Sequence, residues 1–170
     1  MISTKDTETS MHDLDEDIAD LAVLREPFDS AKYNYISLGM QDPLGILMKE
    51  DDPHAQLSAI APEEMKEMNL LVFQRYINPR FPKKLDISRR ELSIRGTYTL
   101  VQGILPLVQS GFANALCTEG SVLRYTGDGL VFRPITPLTA YDTVLAWRKY
   151  HVLPDQAEAL IEEVRKILRR

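Results

Sequence analysis

Short apolar runs closed by proline, glycine or charge recur along the chain. They constrain its fold more than any other feature. Ile18–Leu24 is stopped by Arg25-Glu26-Pro27, and Tyr33–Leu38 and Pro43–Lys49 follow before the polar turn Glu50-Asp51-Asp52-Pro53-His54. Leu70–Phe73, Phe112–Cys117, Leu130–Ile135 and Ala140–Lys149 continue the series. Runs this short read as buried strands. Between them lie segments of helical spacing. Ala61–Met68 has Pro62 at its first position and Glu63 and Glu64 at its positive end. Leu100, Val101, Ile104, Leu105 and Val108 share one helical face, which Pro106 should kink or break, and Gly111 sits where a helix ends. Pro154 opens a last helix with Ala157, Leu160, Ile161, Val164 and Leu168 on one face. Strands alternating with helices predict an α/β fold with largely parallel pairing.

Within this pattern Ser93–Ile104 concentrates binding chemistry. It reads as a strand, a turn at Gly96, and a helix start that Thr97 or Thr99 can cap. A helix start carries partial positive charge and free N–H groups, so with hydroxyls beside it the stretch is a candidate cradle for a small anion. Arg25 and Glu26, at the end of an early strand, are candidate crevice residues by the rule that ligands bind beyond strand ends in open α/β sheets.

Composition removes several classes. The net charge of −5 argues against a surface built to hold nucleic acid. Seven basic residues against two acidic ones between Arg75 and Arg95 form a locally basic loop, but without the aromatic platforms that single strands need. A single cysteine, Cys117, precludes an internal disulfide and suits a reducing cytoplasm. No apolar run is long enough to span a bilayer, and Met1–Asp6 has no signal-peptide pattern. The expected compartment is therefore cytoplasmic.

Catalytic and metal signals fail their tests. Asp13-x-Asp15-x-Asp17 has Ile18 where a calcium loop needs glycine, and reads as a solvated helix end. His54 with Asp51 and Asp52 has no second His or Cys at ligand spacing and reads as a solvated turn. Cys117 ends an apolar strand, the setting of a core thiol. His12, His54 and His151 lie in polar or loop settings, without the context of a triad base. No phosphate loop or catalytic carboxylate pair is present. The expectation is a binding protein rather than an enzyme, with no cofactor and no metal.

The ordered segments resemble the effector-binding domain of LysR-type transcriptional regulators. The resemblance rests on residues 19–27 (ADLAVLREP), 45–55 (GILMKEDDPHA), 60–65 (IAPEEM), 71–75 (LVFQR), 108–116 (VQSGFANAL) and 130–135 (LVFRPI). It spans roughly residues 12 to 168. It implies a two-lobed fold like that of type 2 periplasmic binding proteins, with an effector crevice between lobes. Lobe I would hold residues 1–42 and 138–170, and lobe II residues 43–137. The crossings would fall near Asp42-Pro43-Leu44 and Pro137-Leu138. Carried over residue by residue, the crevice would use Arg25, Glu26, Gln74, Arg75, Gly96, Thr97, Tyr98 and Thr99.

Against the family pattern, the chain starts after the winged helix-turn-helix, the linker helix and a strand–helix–strand unit. Lobe I is then expected to be incomplete, and DNA would be reached only through a helix-turn-helix absent from the chain. The implied partners are a small anionic effector, expected to be a carboxylate, and a second copy in a homo-oligomer. The competing functions are a module that heterodimerises with intact regulators and a metabolite-processing enzyme on a binding-protein fold.

Overall fold

The computed structural model describes residues 2–76, 87–137 and 140–169, without the side chain of Arg75. The expected crossing at Pro137-Leu138 and most of the basic loop, including Arg80, Lys83 and Lys84, reach outside the described residues. The chain packs as two compact units, Met1–Gln41 with Tyr141–Arg170, and Asp42–Ala140.

In the first unit, helix α1 (Thr7–Asp15) is capped by Asp6, whose carboxylate accepts the Thr9 N–H at 2.8 Å. Strand β1 (Ala22–Arg25) runs antiparallel to β7 (Ala140–Arg148), and β7 also borders β2 (Tyr33–Lys49). Leu14 from α1 packs on Leu24, Tyr33, Val144 and Ala146. Two expectations change here. Ile18–Leu24 is not a strand buried throughout: Ile18 is 64% and Val23 59% exposed, and pairing begins at Ala22. The acidic segment is not wholly solvated. Asp13 is buried on Lys5 at 2.5 Å, and Asp15 accepts the Tyr33 hydroxyl at 2.7 Å. Helix α5 (Asp155–Leu168) starts after Pro154, as expected. It buries Ala157 and Ile161 but leaves Leu160 and Leu168 exposed, so its apolar face is covered only in part.

The second unit is built on the end of β2. The two strands expected at Tyr33–Leu38 and Pro43–Lys49 are one strand of 17 residues. Pro43 falls just before two of its ladders: pairing with β5 (Asn114–Thr118) begins at Leu44 and with β6 (Leu130–Pro134) at Gly45. Leu44, Ile46, Leu47 and Met48 have no exposed surface. Both neighbours run antiparallel to β2, which corrects the expectation of largely parallel pairing. The parallel part is β5, β3 (Asn69–Phe73) and β4 (Ser93–Tyr98), with β3 in the middle. The short helices are α2 (Pro62–Met65), α3 (Leu105–Gln109) and α4 (Glu119–Val122). The predicted helix does break at Pro106: a 3₁₀ turn, Val101–Gly103, ends before it, and Pro106 lies in the first turn of the separate helix α3. Gly111, at φ +74°, closes α3 with N–H bonds from Gly111 to Val108 and from Phe112 to Leu107.

The turn at Asp52 is a latch rather than a solvated loop. Its carboxylate accepts the His54 N–H at 2.9 Å and the Asn114 amide at 3.0 Å, and it lies 3.0 Å from His54 Nδ1. Burial opposes the charge, but these donors outweigh it and hold the carboxyl below its ordinary 3.8. A lowered folded pKa contributes stability above the unfolded value and loses it as pH falls through the folded one. The difference in urea midpoint between wild type and Asp52→Asn should therefore shrink between about pH 5 and pH 3. A gap that stays constant would contradict this role.

Gly45 supplies a steric prediction. A Cβ there would fall on the Phe132 ring and the Arg133 carbonyl, and backbone cannot yield as a side-chain tip can. Gly45→Ala should cost about 2 kcal/mol or more in urea unfolding.

Candidate functional site

The order β5–β3–β4 has a physical consequence. The chain leaves β3 toward β4 on one side and returns to β5 on the other. The carboxyl ends of such strands, where the order reverses, are where open α/β sheets bind ligands. The residues there are Gln74 and Arg75 after β3, Thr97 to Leu100 around the end of β4, and Thr118 to Ser121 after β5.

This end of the sheet brings together Gln74, the Arg75 backbone, Gly96, Thr97, Tyr98 and Thr99. The expected strand–turn–helix at Gly96 is not formed. β4 continues through Gly96, which pairs with Leu71, while Thr97 pairs with Val72 and Tyr98 with Phe73. The register shifts between Leu70 and Leu71, leaving Arg95 as the extra residue of a bulge. A Cβ on Gly96 would lie 3.3 Å from Leu71 Cδ2, so glycine serves close strand packing there. Leu100 and Ile104 occupy the cap positions of the 3₁₀ turn and α3, with no side-chain cap bond. The capped helix start predicted as an anion cradle therefore gives way to a strand end. The cause is β3, which offers backbone partners as far as Phe73 and keeps Thr97 and Tyr98 extended.

Strand alternation then divides the side chains. Thr97 is exposed, as are Gln74 and Thr99. Tyr98 turns inward: its hydroxyl donates to the Leu116 carbonyl at 2.8 Å, and its ring stands edge-on to Phe73 at 5.6 Å. Burial pushes its phenol well above the usual range, with Cys117 and Tyr76 adding to the effect. Tyr98 thus braces the wall rather than facing a ligand. Cys117 is 2% exposed, and burial raises its thiol far above the reactive range.

Arg25 and Glu26 lie in the first unit. The Arg25 N–H meets Thr7 Oγ1 at 3.4 Å. Glu26 exchanges bonds with Asp142: its N–H donates to the Asp142 carbonyl at 3.0 Å, and its carboxylate accepts the Asp142 N–H at 3.3 Å. Glu26 therefore holds the start of β7.

Sequence reading missed Asp42 and the turn it grips. Asp42 is 8% exposed and accepts the Gly120 N–H at 2.7 Å. Thr118 is buried, and its carbonyl accepts the Ser121 hydroxyl at 2.7 Å. A signal was available: an aspartate inside an extended apolar run is rarely buried without a partner. Its partner lies 78 residues away, where no spacing rule reaches. Among the described residues, no group of three His, Cys, Asp or Glu side chains could hold a metal. No described helix is long and apolar enough to cross a membrane.

Solved structures share this fold. The regulatory domain of Synechocystis PCC6803 CcmR, in complex with 2-PG, superimposes with a TM-score of 0.77 at 14% identity, over 96% of this chain and 80% of that one. The effector binding domain of QuiR, in complex with shikimate, gives 0.76 at 17% identity, over 94% and 77%. HinK, a LysR family transcriptional regulator from Pseudomonas aeruginosa, gives 0.69 at 16% identity, over 95% of this chain and 56% of HinK. The chain thus spans little more than half the length of that regulator. No curated protein is matched by the sequence. The architecture is that of a type 2 periplasmic-binding-protein-like effector domain. The family model for the LysR substrate binding domain matches residues 1–169, and the chain belongs to that family. Its structural relatives are transcriptional regulators rather than enzymes.

Two side chains can be tested directly. Tyr98→Phe should cost about 1 kcal/mol of stability, the worth of one buried hydrogen bond, measured by urea unfolding. Cys117 should resist a thiol reagent in the native protein and react at once in denaturant. Rapid native labelling would show that the thiol is accessible.

Proposed function

We propose that this chain is the effector-sensing and dimerising domain of a LysR-type transcriptional regulator, acting in the cytoplasm on a small carboxylate. The observation that carries the reading is the set of exposed polar residues at the carboxyl ends of β3 and β4, on a chain of this family. Thr97 and Thr99 supply hydroxyls, Gln74 an amide and Arg75 a cation suited to charge-assisted bonds with an anion. Tyr98 and Gly96 support them. Arg25 and Glu26 are the candidate contribution of the first unit. The 2-PG and shikimate complexes of the CcmR and QuiR domains support a small-molecule ligand, and shikimate is itself a carboxylate. In this reading the two compact units are the two lobes.

A thermal-shift screen of small carboxylates tests the assignment. At least one acid should raise the melting temperature, and Thr97→Ala should weaken it by about three- to tenfold, the loss of one hydrogen bond. If Thr97→Ala and Arg75→Ala leave every hit unchanged, the site is elsewhere. Light scattering on the purified chain should give twice the monomer mass. A strictly monomeric chain would contradict dimerisation.

A further inference from the structure

We infer that the first unit carries a binding site of its own: a cavity between the end of α1, the turn before β2 and the end of β7, which takes a small organic monoanion, a carboxylate borne on a flat ring. The inference does not depend on the strand ends of the second unit. The cavity measures about 370 Å³ and is lined by Asp15, Ala31, Lys32, Arg148, Lys149 and Tyr150. That volume lies at the low end for ligand pockets, so the ligand is small. Two backbone donors fix the wall. The Lys149 N–H donates to the Lys32 carbonyl at 3.0 Å, and the Ala31 N–H donates to Asp29 Oδ1 at 3.0 Å.

The lining carries three cations and one carboxylate, and their pairings are unequal. Lys32 pairs with the Asp15 carboxylate at 3.1 Å, which also accepts the Tyr33 hydroxyl at 2.7 Å. Arg148 pairs with Asp17 at 2.7 Å and gives a second N–H to the Asp15 carbonyl at 2.9 Å. His151 Nδ1 lies 3.4 Å from the same Asp17 carboxylate. Asp29 is outside the lining and exposed, so water screens its charge. Lys149 is half-buried, yet its ammonium donates to a neutral acceptor, the Ser30 carbonyl, at 3.1 Å. Among the described residues no carboxylate pairs with it. An ammonium has three donors, which leaves two for a ligand anion. Tyr150 supplies the second half of the site. It has φ +61°, a left-handed conformation that bulky residues seldom adopt, and its side chain lines the cavity while fully exposed. A ring held there without protein cover offers its face to another planar group. A flat carboxylate can therefore set its charge on Lys149 and its ring on Tyr150. A phosphate monoester, with up to about two negative charges at pH 7, exceeds what this one ammonium balances.

Backbone-amide NMR on the full chain, titrated with benzoate, acetate and phenyl phosphate, tests this. Benzoate should move the amides of Ala31, Lys32, Lys149 and Tyr150, and should bind there more tightly than either other probe. Lys149→Met keeps the stem without the charge and should weaken benzoate about tenfold, the worth of one charge-assisted hydrogen bond. Lys149→Arg should restore most of that loss. Tyr150→Gly suits the left-handed backbone and removes the ring. It should weaken benzoate about threefold and leave acetate unchanged. This variant carries the test if Lys149→Met does not fold. Cavity amides that ignore benzoate overturn the inference, as does benzoate binding that either folded variant leaves unchanged. Equal affinity for benzoate and acetate overturns the part given to the ring, and tighter binding of phenyl phosphate overturns the single charge. The amides of Gln74 and Thr97–Leu100 report on the effector site separately. Their silence toward every carboxylate would count against that reading, while the amides of the first unit still decide this one.

Discussion

The burial of β2 between two hydrogen-bonded neighbours is the constraint on which the second unit depends. Leu44, Ile46, Leu47 and Met48 have no exposed surface, and each such side chain is worth roughly 1.5–3 kcal/mol. Facing strands must supply every backbone partner, because water does not reach them. β5 and β6 do so in antiparallel register, with Gly45 bare so that Phe132 can close on the strand. Once β5 is fixed, β3 and β4 follow in parallel. The polar strand ends then converge on one side of the sheet as a consequence of the packing.

Much of this framework was legible in the sequence, because it rests on local chemistry. Pro62 opens a helix, Pro106 breaks one and Gly111 closes one, since each acts through its own backbone. Apolar runs located the strands. What failed needed a neighbour to decide it. Gly96 has the composition of a turn but lies within β4, because β3 offers backbone partners that far. Tyr33–Leu38 and Pro43–Lys49 join into one strand, which β7, β5 and β6 all pair with and in which Pro43 falls just before the β5 and β6 ladders. Parallel pairing was expected from alternation alone, yet β2 serves strands that run against it. Direction is set by connections, which periodicity does not report.

The candidate site shows the same division. The segment Ser93–Ile104 was legible as a place of binding chemistry, because hydroxyls and glycine cluster there. Its mechanism was not. The donors expected from a helix start belong to a strand end, and Tyr98 faces the core. Asp42 and Gly120, which shape the far side of the same sheet end, are joined only by folding.

Alternation along β4 also separates the frame from the surface it presents. Thr97 faces outward and its neighbour Tyr98 inward, onto Phe73 and the Leu116 carbonyl. A change at Thr97 or Thr99 alters which ligand groups are satisfied and leaves the core contacts intact. A change at Tyr98, Gly45 or Asp42 disturbs buried partners that carry the whole wall, and such losses are large because unsatisfied groups in the interior are costly. Ligand choice can therefore vary through the exposed residues while the fold stays fixed. Domains 14% and 17% identical to this chain share its architecture, one in complex with 2-PG and the other with shikimate.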